Sequence, residues 1–315
     1  MTTTADDADR SFEFTFTVFT PTYNRAETLE RAYHSLSEQT LTDFEWVVVD
    51  DDSEDDTAER VAEWQTETDF PIRFVVQDRP GKHVAYNEGV ERARGRFFLS
   101  LDSDDTLNAN ALKRFTELWE EAPTDDRDNI VGVNALCVDQ TGAVNGDEFP
   151  ESPLVADYFD LRYRYKYGGD GVGFTRTSVL ERYRFPELHG VRYIPESYVG
   201  SQLAADGYAR YCVNEVLGTY YTDEDERTDQ LTQSANLRDA PAFAMWHRHR
   251  MNEHISWFRA DPRAFVMSAA GYAKHSFASE IPISEQIRGL DNLLARLLWL
   301  VFLPIGYLDY RIHRS

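Results

Sequence analysis

The segment Arg96–Asp105 reads Arg-Phe-Phe-Leu-Ser-Leu-Asp-Ser-Asp-Asp. Its apolar part has the composition of a buried strand, and three carboxylates follow almost at once. Burying carboxylates without partners is costly, and a divalent cation held by closely spaced oxygen ligands is the simplest relief. The segment therefore predicts a buried strand that ends at a metal and nucleotide site.

Three strand patterns precede this segment, at residues 12–19, 46–49 and 72–76. A helical pattern follows each of them. We expect Pro21 to end the first strand, Asn24 to cap the first helix and Ser53 to cap the second. Strands that alternate with amphipathic helices indicate an α/β fold with a mainly parallel sheet and helices on both faces.

Candidate ligands follow three of the predicted strands, within Pro21–Asn24, Asp50–Asp52 and Asp102–Asp104. Each loop is weak evidence alone, because short acidic turns are often simply solvated and acidic residues also favour helix N-termini. In a parallel sheet, however, ligands bind beyond the carboxyl ends of the strands. The fold is therefore expected to bring the three loops to one rim, where they form a shared site.

The chain has 315 residues, of which 42% are hydrophobic, and a net charge of −23. This acidity repels nucleic acid and anionic lipid at long range, which argues against a nucleic-acid partner. It favours a halophilic, cytosolic protein over an acid-tolerant binding role. Two cysteines without a CxxC motif argue against a disulfide framework or a zinc site. The polar N-terminus lacks signal-peptide features, which predicts a cytoplasmic location.

Five segments of the first half match the order and spacing of a known family. They are Thr20–Arg25, Val49–Thr57, Asn87–Gly89, Ala93–Gly95 and Leu101–Asp105. Through them, residues 12–110 resemble the family 2 glycosyltransferases, which have the GT-A fold. Asp52 departs from the pattern, because the family usually has Gly there, and it makes the nucleotide loop more acidic.

The resemblance implies a site for a UDP- or GDP-sugar and for Mn²⁺ or Mg²⁺. The backbone of Pro21–Tyr23 and Asp51 would hold the nucleobase, and Asp102 the ribose or a metal-bound water. The residues expected to bind nucleotide sugar are Pro21, Thr22, Tyr23, Arg25, Asp50, Asp51, Lys82, Asn87, Asp102 and Ser103, and the metal ligands are Asp104 and Asp102. A divalent ion suits this chemistry, because it stabilises charge on the leaving diphosphate. Asp105 is expected to cap the next helix.

The second half resembles the acceptor half of many family 2 enzymes at residues 185–187, 192–196 and 220–221. There a carboxylate at the start of a helix serves as catalytic base, and Glu196 occupies that place. An inverting transfer needs one such base to take the proton of the attacking hydroxyl. The alternative is that Glu196 is an ordinary first-turn residue favoured by the helix dipole. The family usually has an acidic pair here, whereas Ser197 follows Glu196, so Glu187 is the fallback base.

Apolar residues recur at helical spacing from Leu290 to Val301, and residues 297–308 are uncharged. We expect Pro304 and Gly306 to interrupt this helix, which argues against a membrane span. Two alternatives stay open: packing on the catalytic domain, or lying in the membrane interface with basic residues at the headgroups. We favour an interface role for residues 290–315, because the segment is apolar nearly all round and many family members glycosylate lipid-linked acceptors.

These patterns divide the chain into four parts. They are a disordered tail at 1–11, a nucleotide-sugar-binding half at 12–110, an acceptor-binding half of the same domain at 111–235 and a helical C-terminal region at 236–315. We expect residues 158–173 to form the donor-sugar pocket and residues 223–234 to be mobile. His34 and His83 are interpreted as structural or surface residues.

We predict an inverting, metal-dependent hexosyltransferase that moves a sugar from a nucleoside diphosphate to a hydroxyl acceptor. A polyprenyl-linked glycan in cell-surface or glycoprotein assembly is the expected acceptor, at the cytoplasmic face of a membrane. A non-catalytic nucleotide-sugar-binding protein is the alternative. Nucleotidyl transfer is less favoured, because it would want a glycine-rich phosphate loop near the first strand, and Thr20–Arg25 contains no glycine.

Overall fold

The computed structural model of the chain describes residues 11–125, 128–169, 171–221 and 237–314. Within these ranges the strands are β1 (Phe14–Thr22), β2 (Phe44–Asp50), β3 (Ile72–Val76), β4 (Gly95–Ser100), β5 (Thr106–Leu107), β6 (Ile130–Asp139), β7 (Leu154–Ala156), β8 (Gly171–Arg176) and β9 (Ala209–Tyr220). The tail predicted to be disordered (apart from residue 11) and the segment 223–234 predicted to be mobile lie outside the described residues.

The helices in the same ranges are α1 (Ala26–Ser37), α2 (Thr57–Glu67), α3 (Lys82–Arg92), α4 (Ala111–Glu121), α5 (Thr177–Leu180), α6 (Ser197–Ala205), α7 (Ala240–Glu253), α8 (Pro262–Ala278), α9 (Ile283–Arg288) and α10 (Leu293–His313). A short π-helix spans Asp160–Arg164, and a 3-10 helix spans Ile255–Arg259. The β-α alternation predicted for the first half is therefore present.

The strands form one sheet in the order β3-β2-β1-β4-β8-β6-β9-β5, with β7 paired to β9. Strands β3, β2, β1 and β4 run parallel to one another, and β6 runs parallel to β9. Strand β8 runs antiparallel between β4 and β6. The predicted α/β sheet is confirmed, with its parallel part in the first half of the chain and a mixed second half.

Helices cover both faces of the sheet, as the side chains of β1 illustrate. Phe16 and Val18 pack in the core cluster that contains residues of α1, α2 and α4, whereas Phe19 packs in the cluster that contains residues of α3, α5 and α6. Burying one such side chain stabilises the fold by about 1.5–3 kcal/mol. The two clusters hold the sheet between two helical layers, as predicted.

Strand β1 does not end at Pro21 but continues to Thr22. Its pairing with β4 stops at Phe19 and Ser100, whereas its pairing with β2 continues to Thr22. Proline lacks the N–H that a paired strand position requires. Because Pro21 lies past the end of the β4 pairing, that missing donor leaves no hydrogen bond of the ladder unmade, and the predicted strand end is wrong by one residue.

Asn24 and Ser53, which the sequence predicts to be helix caps, instead join the loops after β1 and β2. Arg25 and Asp56 occupy the N-cap positions of α1 and α2, so the predicted caps are wrong. Asn24 has a φ of 51°, a left-handed conformation that Asn tolerates. Its backbone N–H donates to Ser53 Oγ at 2.8 Å, and its Oδ1 accepts from the backbone N–H of Glu54 at 2.7 Å.

Helix α10 packs against α8 in the C-terminal helical region, with Trp299 fully buried. The helix is continuous, so the predicted interruption at Pro304 and Gly306 is wrong. Pro304 is exposed, whereas Gly306 is buried at a close approach to α8. A Cβ at Gly306 would lie 2.4 Å from the Ala270 carbonyl oxygen. Gly306 therefore permits helix packing rather than ending the helix.

One face of α10 remains exposed. Its exposed apolar residues include Leu293, Leu297, Leu300, Val301, Ile305, Leu308 and Ile312. Among the described residues, α10 is the helix long and apolar enough to cross a membrane by length and composition, and 17% of its most apolar window is buried. The same criteria are met by some core helices of soluble proteins, but α10 is mostly uncovered.

Candidate active site

Strands β1, β2 and β4 end side by side at one edge of the sheet. Thr22 pairs with Asp50, and Phe19 pairs with Ser100. The loops that follow these strands therefore meet at one rim, as predicted. The backbone N–H of Asp51 donates to the Thr22 carbonyl at 2.9 Å, which links the first two loops directly.

Asp102, Asp104 and Asp105 form a carboxylate cluster at this rim, with one oxygen of each within 4.8 Å of the others. Burial, together with repulsion from the other two carboxylates, raises the pKa of Asp105 to about 8. The prediction that Asp105 caps a helix is wrong, because α4 begins only after Asn110. Asp105 instead accepts a hydrogen bond from the backbone N–H of Tyr221 at 3.3 Å.

The carboxylate cluster fits a divalent cation. Three adjacent carboxylates supply the hard oxygen ligands that Mg²⁺ and Mn²⁺ prefer. The pKa of Asp105 is raised first by burial and then by the neighbouring carboxylates of Asp102 and Asp104, and a bound cation would favour its charged form. Arg25 Nη1 lies 3.8 Å from Asp104 Oδ2, which is a long ion pair.

Lys82, the first residue of α3, joins the carboxylate cluster to the start of α6. Its Nζ lies 3.0 Å from Asp102 and 2.8 Å from Glu196. Burial opposes the charge of Lys82, but the two carboxylates outweigh that effect and raise its pKa well above the usual value. Glu196 immediately precedes α6, as predicted, and its side chain is 66% exposed. The expected base is thus open to solvent and next to the cluster.

Asp51 holds the loop before α3. Its carboxylate accepts from the backbone N–H of Gly81 at 3.1 and 3.2 Å and from the Gln77 side-chain amide. Tyr23 is 43% exposed, and the Arg192 guanidinium lies 5.5 Å from the centre of its ring. Arg192 was not predicted as a site residue, although it lies in the 192–196 segment that carried the resemblance.

Two predicted nucleotide contacts have partners within the protein. Asp50 accepts hydrogen bonds from the backbone N–H and the hydroxyl of Ser53. Asn87 donates to the Phe185 carbonyl at 2.9 Å and accepts from the Phe185 N–H at 3.0 Å. Asp50 therefore stabilises the turn after β2, and Asn87 fixes the position of the segment before α6.

Two further predicted contacts, Thr22 and Ser103, are buried at the rim. The hydroxyl oxygen of Thr22 has no hydrogen-bond partner among the described residues. A buried hydroxyl without a partner is uncommon in folded proteins. Thr22 thus offers a free polar group at the end of β1.

A cavity of about 340 Å³ lies beside the carboxylate cluster. Its lining includes Lys82, His83, Tyr86, Asp102, Asp105, Asn134, Thr175, Glu196 and Arg210. The sequence did not predict Asn134 or Arg210, because only the pairing of β6 with β9 brings them to this place. His83, predicted to be structural or on the surface, is buried. Glu187, the fallback base, lies outside the lining and pairs with Arg79.

Only part of the segment 158–173, which the sequence predicts to form the donor-sugar pocket, lies at the cavity. Residues Gly171–Gly173 line the cavity. Phe159 and Tyr163 pack with Phe265 in a separate core cluster, and the Tyr163 hydroxyl forms a 2.9 Å hydrogen bond with Nδ1 of His254. The aromatic residues of this segment therefore pack in the core against the C-terminal helices.

The parallel β-α units, the acidic cluster after β4 and the adjacent cavity together define a GT-A-like glycosyltransferase. The sequence profile described as Glycosyl transferase family 2 matches residues 17–182, which is more than half of the chain. The chain therefore belongs to glycosyltransferase family 2. The predicted family and the predicted enzyme class are confirmed.

Curated relatives match much of the chain. An uncharacterised glycosyltransferase of Nostoc sp. is 29% identical over 251 residues, which cover 79% of this chain and 69% of the relative. The putative teichuronic acid biosynthesis glycosyltransferase TuaG of Bacillus subtilis is 27% identical over 64% of this chain and 77% of its own length. The GalNAc(5)-diNAcBac-PP-undecaprenol β-1,3-glucosyltransferase of Campylobacter jejuni is 30% identical over 54% of each chain.

Solved structures share the fold over nearly the whole chain. TarS 1–349 of S. aureus, in complex with UDP-GlcNAc, has a TM-score of 0.59 and 18% identity, covering 95% of this chain and 92% of its own. The mannosyltransferase PcManGT from Pyrobaculum calidifontis, in complex with GDP-Man and Mn²⁺, has a TM-score of 0.53 and 20% identity, covering 97% and 89%. At these identities the likeness shows the GT-A-like fold.

Proposed function

We propose that this glycosyltransferase is an inverting enzyme that transfers a hexosyl group from a UDP- or GDP-sugar to a hydroxyl acceptor with the help of Mn²⁺ or Mg²⁺. The proposal rests on the contact of Lys82 with both Asp102 and Glu196, which puts the expected base beside the carboxylate cluster at one cavity. The UDP-GlcNAc complex of TarS and the complex of PcManGT with GDP-Man and Mn²⁺ support these donor classes and a divalent metal.

The strand-end rim would hold the nucleoside diphosphate. Tyr23 offers an exposed aromatic face to the nucleobase, and the Asp51 loop borders it. Asp104, with Asp102 and Asp105, would hold the divalent ion, which supplies Lewis-acid stabilisation of the leaving diphosphate. Lys82 adds a fixed positive charge at the same place, where negative charge develops during transfer.

Glu196 would act as the general base. Its carboxylate accepts the proton of the acceptor hydroxyl while that oxygen bonds to the anomeric carbon and the bond from this carbon to the diphosphate breaks. Attack from the side opposite the leaving group inverts the anomeric configuration. The 66% exposure of the Glu196 side chain leaves it accessible to an acceptor from solvent.

We propose that the acceptor is a lipid-linked glycan and that the enzyme acts at the cytoplasmic face of the membrane. The Campylobacter relative is named for an undecaprenol-linked substrate, and TuaG for teichuronic acid biosynthesis, a polymer glycan. The same names support a role in the assembly of a larger glycan. Release of labelled sugar onto polyprenyl-diphosphate glycans, but not onto free oligosaccharides, would support this acceptor class.

Helix α10 would place the enzyme peripherally on that membrane. The helix has an exposed apolar face, and the basic residues Arg311 and Arg314 lie at its C-terminal end. This combination suits the boundary between acyl chains and headgroups. Because Trp299 belongs to the core, we test the exposed residues instead of removing the helix. Leu297→Asp with Val301→Asp should reduce co-flotation with liposomes, whereas Met267→Asp, at an exposed position of α8, should not.

The catalytic assignment is tested by a hydrolysis and transfer screen of nucleotide sugars with and without Mn²⁺. We expect Glu196→Gln to lower kcat by about a hundredfold or more while nucleotide binding persists. Glu187→Gln is the matched control and should stay near the wild-type rate. Equal rates for wild type and Glu196→Gln would refute the base assignment. Nucleotide-sugar binding without any turnover would favour the alternative, a non-catalytic binding protein.

A further inference from the structure

Arg210 is a positive charge on the sheet side of the cavity. It belongs to β9, and its guanidinium reaches across the neighbouring strands β6 and β8. Its Nη1 donates to Asn134 Oδ1 at 3.1 Å and to the Phe174 carbonyl at 3.2 Å, and its Nη2 donates to Thr175 Oγ1 at 2.7 Å. All three acceptors are neutral, so the charge is positioned but not balanced by them.

No carboxylate of the described residues forms an ion pair with Arg210. The nearby acids are already engaged, because Asp102 and Glu196 share Lys82. Burial lowers the pKa of Arg210, and its acidic neighbours Tyr86 and Cys212 stay neutral, because burial raises the pKa of both. An arginine nevertheless keeps its charge in a protein, and even a half-buried charge such as that of Arg210 is costly without a counterion.

The three hydrogen bonds leave donor capacity unused, because a guanidinium has five N–H groups. A purely structural arginine that fastens β6 to β8 would explain the bonds to Asn134, Phe174 and Thr175. It would not explain a fixed cation lining an open cavity. A planar guanidinium held by neutral groups is suited to bind a carboxylate in two parallel hydrogen bonds.

The side of the cavity on which Arg210 lies favours the donor sugar over the acceptor. Asp102, expected at the nucleotide, and Arg210 line the same cavity, so a sugar attached to a diphosphate bound at Asp102 would lie in it. The strands β4, β6, β8 and β9 contribute the Arg210 side of the lining, whereas Glu196 lies at the solvent-exposed start of α6. An acceptor must approach the base from that open side.

We propose that Arg210 binds a carboxylate of the donor sugar, so that the group transferred is a hexuronic acid. Asn134 and Thr175 orient the guanidinium for this contact. The inference rests on the proposed function, since it concerns the sugar of the same nucleotide donor. It adds the chemical class of that sugar, which the family and the carboxylate cluster leave open.

The test uses matched donors that differ only at C6: UDP-glucose against UDP-glucuronic acid, UDP-galactose against UDP-galacturonic acid, and GDP-mannose against GDP-mannuronic acid. Hydrolysis of each is measured with Mn²⁺ and no acceptor, so that any effect of the carboxylate belongs to the donor. We expect wild-type kcat/KM to favour the carboxylate member of a pair by about tenfold or more. Arg210→Gln should abolish the preference, and Arg210→Lys, which keeps the charge, should retain part of it.

Arg114→Gln is the matched control, because Arg114 is also partly buried but pairs with Glu215 on a different surface. It should leave the donor preference unchanged, and thermal unfolding of every variant checks that the fold persists. A wild type that prefers the neutral donors, or an Arg210→Gln variant that keeps the wild-type preference, would overturn the inference while leaving the proposed function intact. Failure to bind free UDP and GDP with Mn²⁺ would overturn both.

Discussion

Lys82 and Glu196 form an ion pair at the mouth of the cavity, with Nζ 2.8 Å from Oε1. The pair joins the N-terminus of α3 to the start of α6, and the backbone N–H of Lys82 also donates to the Arg192 carbonyl at 3.0 Å. The pair thus connects the segments 12–110 and 111–235 at the place where we propose that the reacting groups meet. Lys82 is therefore expected to affect both donor charge and base position.

Lys82→Met should lower kcat/KM by about ten- to a hundredfold, because it removes a cation at the diphosphate and releases Glu196. Lys82→Arg should recover part of the loss. Steady-state kinetics with Mn²⁺ held saturating separates the effect on kcat from that on KM. Arg79→Met removes an exposed cation that pairs with Glu187 and should have no effect. A Lys82→Met enzyme with wild-type kcat/KM would contradict the position we give to Lys82.

Replacing Asp105 in the carboxylate cluster should raise the stability of the metal-free protein but reduce the further stabilisation by Mn²⁺. Burial raises the pKa of Asp105 to about 8, so near neutral pH folding of the metal-free protein must protonate this carboxyl, a cost that Asp105→Asn removes, and the variant should melt at a higher temperature. The same change removes a ligand, so the rise in melting temperature on adding Mn²⁺ should become smaller. Scanning calorimetry with EDTA and with Mn²⁺ measures both. If Asp105→Asn and wild type gain equally from Mn²⁺, Asp105 is not part of the metal site.

The sequence predicted well what neighbouring residues determine. The runs that became β1, β2 and β4, and the acidic residues after them, needed no information beyond local pattern and the rule for parallel sheets. Residues whose environment depends on distant partners were harder to predict. Asp105 was predicted to cap a helix, but β5 follows it and the helix α4 begins only after Asn110. The hydrogen bonds of Asn87 to Phe185 were likewise not predictable from local sequence. Arg210 reaches the cavity only through strand pairing between β6 and β9.

Buried histidines should make the protein less stable in mild acid. Burial lowers the pKa of His254 to about 2 and that of His249 to about 4, both below the ordinary value of 6.5. Below pH about 6.5 the unfolded chain therefore binds protons that the folded chain does not, and stability falls as pH decreases, by at most about 1.4 kcal/mol per pH unit for each histidine.

Denaturant unfolding between about pH 4 and 8 measures this slope. His254→Gln should reduce it by about the contribution of one proton, whatever its effect on stability at neutral pH. His34→Gln changes an exposed histidine of α1, with a side chain 64% exposed, and should leave the slope unchanged. An identical slope in His254→Gln and wild type would show that His254 does not remain neutral when buried.

The net charge of −23 should make stability rise with salt. Like charges spread over the surface repel one another, and the Debye length falls from about 10 Å at 0.1 M to about 3 Å at 1 M salt. We expect the melting temperature to increase steadily with KCl over this range, as for a protein adapted to high salt. A melting temperature that is flat or falls with KCl would remove the support for a halophilic origin.

Two substitutions in helix α10 are expected to change the free energy of unfolding in opposite directions. Pro304 is exposed inside a continuous helix, where proline removes a backbone hydrogen bond, so Pro304→Ala should stabilise the protein by about 1–3 kcal/mol. Gly306 faces α8, and a Cβ there would lie 2.4 Å from the Ala270 carbonyl oxygen and 2.7 Å from Ala273 Cβ. Gly306→Val should therefore destabilise by about 2 kcal/mol or more, because the backbone of α8 must move to admit it.

Equilibrium unfolding of both variants shows whether Gly306 permits α10 to pack on α8 or interrupts the helix. If Gly306 merely broke the helix, Gly306→Val would stabilise the protein as replacing Pro304 does, because valine is a better helix former than glycine. Leu308→Ala, at an exposed position of the same helix, should change the free energy of unfolding by less than about 0.5 kcal/mol. A stabilising Gly306→Val would mean that α10 does not pack on α8 in solution. The exposed apolar face that we assign to the membrane would then have no fixed orientation relative to the catalytic cavity.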